Sequence, residues 1–207
     1  MKKIITLVLA IVMLLTAAGC GSTGATFNAG SVSSGKISPG DNAASTKKHS
    51  KILVAYFSHG GNTRKAAESI HEQVGGDLFE IKTVNPYPEE YDACVAAAKA
   101  ELENNARPQL TGKVENMADY DIVFIGYPIW WHTTPMAIYS FMEAYDLSGK
   151  TVIPFCTSYS NDIAKSMPAI HGLAANSKIL DGLTIKGVDG ENVSKVEPWL
   201  KKIGIVR

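Results

Sequence analysis

The stretch Lys51–Thr63, reading Lys-Ile-Leu-Val-Ala-Tyr-Phe-Ser-His-Gly-Gly-Asn-Thr, constrains this chain more than any other. An apolar, β-branched run stops abruptly at small polar residues, and an alanine-rich helical pattern follows at once. That order reads as a strand, a tight loop and a helix start. The loop residues Ser58, His59, Gly60, Gly61, Asn62 and Thr63 place hydroxyls, an amide and unobstructed backbone N–H groups at a helix N-terminus. First-turn N–H groups lack internal partners and the helix dipole adds partial positive charge, so such a place suits a phosphate. A hydrogen bond to a charged group contributes roughly 1.5–3 kcal/mol, so three or four suffice without a lysine. A P-loop would need Gly-Lys-Ser/Thr, but Gly61 is followed by Asn62 and Thr63. Residues 58–65 do not supply the G-x-G-x-x-G of a dinucleotide site either. Neutral donors fit one terminal phosphate monoester better than a Mg²⁺-nucleotide. An ordinary capped turn between strand and helix is the competing reading of this stretch taken alone.

The leading 50 residues are of another kind. Lys2 and Lys3 precede a continuous apolar run, Ile4 to Leu15, and Ala17-Ala18-Gly19 sets small residues before Cys20. Residues 1–20 therefore read as an export signal. They resemble a bacterial lipoprotein signal, which implies lipidation of Cys20 and anchoring to the outer face of the cell membrane. The apolar run is shorter than the roughly 18 residues a spanning helix needs. Residues 21–50 are Gly, Ser, Thr, Ala and Asn with few large apolar side chains, the composition of a flexible tether. This leaves residues 51–207 as one globular domain, long enough to bury an independent core.

The formal charge of zero hides an asymmetry. Lys2, Lys3, Lys36, Lys47 and Lys48 precede the domain, as does Asp41 alone among the acids, so 15 of 20 basic and 19 of 20 acidic residues remain. A domain charge near −4 argues against nucleic-acid binding. Cys94 falls in a helical pattern and Cys156 at a strand end, and both are expected to be buried thiols. No C-x-x-C or clustered His/Cys spacing proposes a metal site.

Strand-like runs occur at 51–57, 78–82, 122–126, 151–156 and near 183–186. Helical patterns fall between and after them, at 63–74, 88–104, 135–145, 163–174 and 193–203. Alternating helices and Val/Ile-rich strands predict a parallel sheet covered on both faces, a three-layer α/β/α sandwich. Ligands of such folds sit beyond the carboxyl ends of the strands, at the switch point.

Two further loops follow strand ends. In Gly126-Tyr127-Pro128-Ile129-Trp130-Trp131-His132, two of the chain's three tryptophans stand together, as a wall for a planar ligand or as a plug over the core. His132 is a candidate proton donor, although a lone loop histidine is more often simply solvated. Thr157-Ser158-Tyr159 adds hydroxyls and a second aromatic face. A flat ring carrying a phosphorylated chain satisfies all three loops, and FMN is the common molecule of that shape.

With these residues in order, the domain resembles the flavodoxin-like superfamily, specifically the short flavodoxin-family proteins of bacteria. The resemblance rests on Tyr56–Thr63 and Gly126–Trp131, on Tyr87-Pro88-x-x-Tyr91 with Ala98-Lys99-x-Glu101, and on Leu147–Lys150 leading into Pro154–Ser158. It implies a five-stranded parallel sheet of order 2-1-3-4-5 and non-covalent FMN. By position, Ser58, His59, Asn62 and Thr63 would hold the phosphate, with Gly60 and Gly61 in the same loop. Pro128, Ile129, Trp130 and Trp131 would line the ribityl chain and ring, and Thr157, Ser158 and Tyr159 the pyrimidine side. Two positions depart: the family usually has Thr or Ser at Gly60, and often glycines after Ser158.

The resulting expectation is an FMN-binding redox protein, either an electron carrier or a reductase passing electrons to a quinone or similar small acceptor. No catalytic side chain is singled out, and redox partner proteins are not identified. The rival expectation is a flavin-free surface binding module on the same fold.

Overall fold

The computed structural model describes residues 50–187 and 191–207, so Cys20, the expected signal and all of the expected tether but Ser50 lie outside the described residues. Six strands form one sheet: β1 (Ile52–Phe57), β2 (Asp77–Ile81), β3 (Ile122–Pro128), β4 (Thr151–Ser158), β5 (Lys178–Ile179) and β6 (Leu183–Lys186). Every pairing is parallel, in the order β2-β1-β3-β4-β5, and β6 also pairs with β4. The expected 2-1-3-4-5 sheet is present, with its fifth position split into two short strands.

Pro154 accounts for the split. Val152 turns its carbonyl to the edge strand and accepts from Leu180 N at 3.1 Å. Two residues on, the same side of β4 is Pro154, which has no N–H to give. The edge strand leaves the ladder there and rejoins it at Phe155↔Leu183. Gly182 is required at the detour, because a Cβ on it would stand 2.9 Å from Pro154 O.

The alternation of side chains along β3 divides the core into two layers. Val123, Ile125 and Tyr127 face α2 (Tyr91–Glu103), α3 (Met136–Glu143) and α4 (Met167–Leu173), packing with Cys94, Ile138, Phe141 and Ile170. Phe124 faces α1 (Asn62–Val74) and α5 (Val196–Lys202), with Ala66, Ala67, Ile70, Trp199 and Leu200. Gly126 lies on that second face under Phe155, whose ring would be 2.1 Å from an added Cβ.

Helix ends differ from the sequence expectation where capping or proline intervenes. α2 begins at Tyr91 rather than Pro88 because the Glu90 carboxylate accepts from the N–H groups of Asp92 and Ala93, at 2.9 and 2.7 Å. The expected helix 163–174 is a 3₁₀ turn, Ile163–Lys165, followed by α4. Pro168 cannot donate to Ala164 O, so one continuous helix is excluded.

Candidate functional site

The carboxyl ends of β1 and β3 flank the point where strand order reverses, and the loops beyond β1, β3 and β4 meet there. Together with α2 they enclose a cleft of about 590 Å³, within the range of small-molecule sites. Of the residues singled out from sequence, His59, Asn62, Pro128, Ile129, Trp130, Trp131, Thr157, Ser158 and Tyr159 line it. Ser58, Gly60, Gly61 and Thr63 shape the first loop without lining the cleft.

That first loop is organised by one hydroxyl. Ser58 Oγ accepts from Gly61 N at 3.1 Å and from Arg64 N at 3.3 Å, so it occupies two of the donors a phosphate would otherwise use. Gly61 sits at the cap with φ 87°, a conformation glycine adopts without penalty. Nothing lies within 4 Å of a Cβ added at Gly60. Thr63 is fully buried, and its hydroxyl pairs with that of Thr157 at 2.8 Å. This bond joins the start of α1 to the end of β4. Two hydroxyls share one hydrogen bond, so the pair keeps a second proton to donate, and Thr157 is the member that reaches the cleft.

The loop after β3 is a two-residue hairpin. Trp130 and Thr133 exchange backbone hydrogen bonds at 3.1 and 2.9 Å, and the turn residues Trp131 and His132 both take left-handed φ, 48° and 62°. Glycine or asparagine is the usual occupant of such a turn. Here tertiary contacts hold it: Trp131 Nε1 donates to Val95 O at 3.1 Å, Lys99 Nζ lies 5.5 Å from the Trp131 ring, and His132 Nδ1 is 2.9 Å from Asn161 Oδ1. The two tryptophans divide the roles the sequence left open. Trp131 is exposed, whereas Trp130 is half-buried, edge-on to Phe57, His59 and Tyr87. Trp130 is therefore both plug and wall.

In the third loop Ser158 Oγ accepts from Asn161 N at 2.9 Å, and Tyr159 projects from the surface, 82% exposed. No loop motif of the sequence marks the wall from α2: Tyr91, Cys94, Val95 and Ala98 line the cleft, as do Glu89, Asn161 and Gly187. Their signal was the spacing of Tyr91, Val95 and Ala98, one face of a helix. Burial pushes the Cys94 thiol up, helped by Glu101, and pushes Cys156 up to about 12. Both cysteines are free and buried. Behind the hairpin, Thr134 and Glu101 border a second, much smaller cavity, and Thr134 Oγ1 is the one buried side-chain polar atom without a partner among the described residues.

Fold and cleft define a doubly wound α/β protein with an open cleft at its switch point, polar at one end and aromatic at the other. The flavodoxin family model matches residues 51–203, and the chain belongs to that family. Among solved structures, a protein of Bacteroides eggerthii classed provisionally as a flavoprotein is 37% identical, with TM-score 0.66, over 74% of this chain and 98% of its own. A second of that provisional class, from Bacteroides uniformis, is 33% identical with TM-score 0.66, over 73% of this chain and 98% of its own. A Lactobacillus acidophilus flavoprotein in complex with FMN shares the fold at 20% identity, TM-score 0.59, over 72% of this chain and 98% of its own. No curated protein matches the chain.

Proposed function

We propose that this protein binds FMN without a covalent link in the cleft at the sheet's switch point, and that it works as a redox protein. The observation that carries the reading is the convergence of the α1 N-terminus with two aromatic loops on one cleft of about 590 Å³. The residues present fit the group. His59 and Asn62 stand at the helix start, where backbone N–H groups favour an anion. Ile129, Trp130, Trp131 and Tyr159 offer apolar and aromatic surface for a flat ring. Thr157, backed by Thr63, offers a hydroxyl donor. Ser58 would release Gly61 N–H and Arg64 N–H to a phosphate, or keep them and leave the rest of the loop to bind it.

FMN, when bound, supplies the one- and two-electron chemistry, and this chain's residues supply binding, orientation and access. The hairpin and the Tyr159 loop set how much of a ring meets solvent. The half-open cleft, whose lining carries Glu89 as its one formal charge, favours reduction of a small acceptor such as a quinone over exchange with a large protein partner. Through Cys20 we place this activity on the outer face of the cell membrane, held by lipid alone.

Titration of FMN against the purified protein tests the binding reading. Quenching of flavin fluorescence that saturates at one equivalent, and is lost in Trp130→Ala, is the expected result. Folded wild-type protein that leaves the fluorescence unchanged favours the flavin-free binding module. Turnover with a quinone and a chemical reductant, without a partner protein, separates reductase from carrier. Membrane fractionation of wild type and Cys20→Ser tests the anchor.

A further inference from the structure

Glu101 does not border the large cleft, yet a chain of contacts joins it to the cleft wall. Glu101 Oε2 accepts a hydrogen bond from the Tyr87 hydroxyl at 2.6 Å. Tyr87 is 9% exposed, and its ring meets Trp130 edge-on at 4.9 Å and Phe57 at 5.5 Å. Trp130 completes the group with Phe57 at 5.4 Å and His59 at 5.9 Å, and lines the cleft. Edge-on ring pairs depend on angle and separation. A shift of Tyr87 is therefore transmitted to Trp130, and what fixes Tyr87 at its far end is Glu101. Burial and then the Glu101 carboxylate hold the Tyr87 phenol far above its usual range, so it stays a donor wherever the fold survives. The carboxylate is also felt at the cleft wall, where it adds to the burial that raises the Cys94 thiol.

We propose that Glu101 is a positioning residue: through Tyr87 it sets the orientation of Trp130, and so the affinity of the cleft for the flavin. The functional half of this inference rests on the flavin reading above. The structural half does not, and the test separates them.

The full-length protein labelled with 5-fluorotryptophan gives one ¹⁹F resonance for each of Trp130, Trp131 and Trp199, assigned by single Trp→Phe variants. Tyr87→Phe keeps the ring and removes the hydroxyl, Glu101→Ala removes the acceptor, and Glu101→Gln keeps an acceptor oxygen. Tyr87→Phe and Glu101→Ala should shift or broaden the Trp130 resonance. The Trp199 resonance, from the opposite layer, should stay in place. In both variants the Kd for FMN should rise on the order of tenfold, equivalent to about 1.4 kcal/mol. Glu101→Gln should return resonance and affinity towards wild type. An unmoved Trp130 resonance with unchanged Kd in Tyr87→Phe and Glu101→Ala overturns the proposal. So does Glu101→Gln behaving like Glu101→Ala, since charge rather than the bond would then be at work. A shifted resonance in a protein whose wild type takes no FMN supports the positioning and overturns the flavin reading instead.

Discussion

The loop after β1 and the hairpin after β3 stand side by side over the same cleft, but they are held in opposite ways. The first is locally self-sufficient. One hydroxyl, Ser58, organises it through Gly61 and Arg64, and a glycine takes the left-handed position at no cost. The hairpin puts Trp131 and His132 into left-handed φ that glycine or asparagine would prefer, and depends on Val95, Lys99 and Asn161 to keep it there. Single residues in such conformations cost of order 1–3 kcal/mol and persist only where the surroundings over-determine them. Local rules thus govern the polar loop after β1, and tertiary contacts govern the aromatic wall.

The most damaging way to break this contrast is Trp130→Ala. Trp130 joins the hairpin to the core through its ring contacts with Phe57 and Tyr87, so its loss should cost roughly 3 kcal/mol, read as a drop in the urea midpoint. It should also abolish flavin retention. A fall in stability below about 0.5 kcal/mol would mean the ring is not a plug.

Next in size is the hydroxyl pair that ties the first loop to β4. Thr63→Val or Thr157→Val leaves one buried hydroxyl alone and should cost about 1–3 kcal/mol, while the double variant should recover much of it. Additive losses would show that the two hydroxyls do not act as a unit.

Ser58→Ala removes the acceptor for two N–H groups and should cost about 1 kcal/mol, a Tm change of roughly 2–4 °C for a domain of this size. Trp131→Ala loses its tie to Val95, but the Trp131 ring is exposed, so its stability loss should be smaller than that of Trp130→Ala. Equal losses at the two tryptophans would erase the division of roles drawn above.

The smallest effect is a gain. Gly60 has open space around a new Cβ, and a threonine there would add a hydroxyl to the loop, so Gly60→Thr should tighten FMN binding by several-fold, about 1 kcal/mol for one added hydrogen bond. Isothermal titration would read it, and an unchanged Kd would mean the loop contributes backbone donors alone.

The same contrast explains what could be read from sequence. Strand periodicity and the Gly60-Gly61 loop were legible because each depends on neighbours within a few residues. Tyr56–Thr63 therefore announces both the first βα unit and the polar end of the cleft. The split of the edge strand was not anticipated, because Pro154 acts across the sheet on Leu180–Gly182 rather than on its own strand. The positions of Trp130 and Trp131 are left open by the sequence for a similar reason: Tyr87, Val95 and Lys99 decide them, from 32 to 43 residues away in sequence. The α2 wall carried a visible helical stripe, but nothing in that stripe says which loop it faces.

The visible absorption spectrum of the purified full-length protein, taken after adding FMN and desalting, tests the central claim most directly. Flavin bands that remain with the protein, at close to one FMN per chain, are the predicted result. A colourless, folded protein after desalting would contradict the redox reading and leave the cleft to a ligand other than flavin.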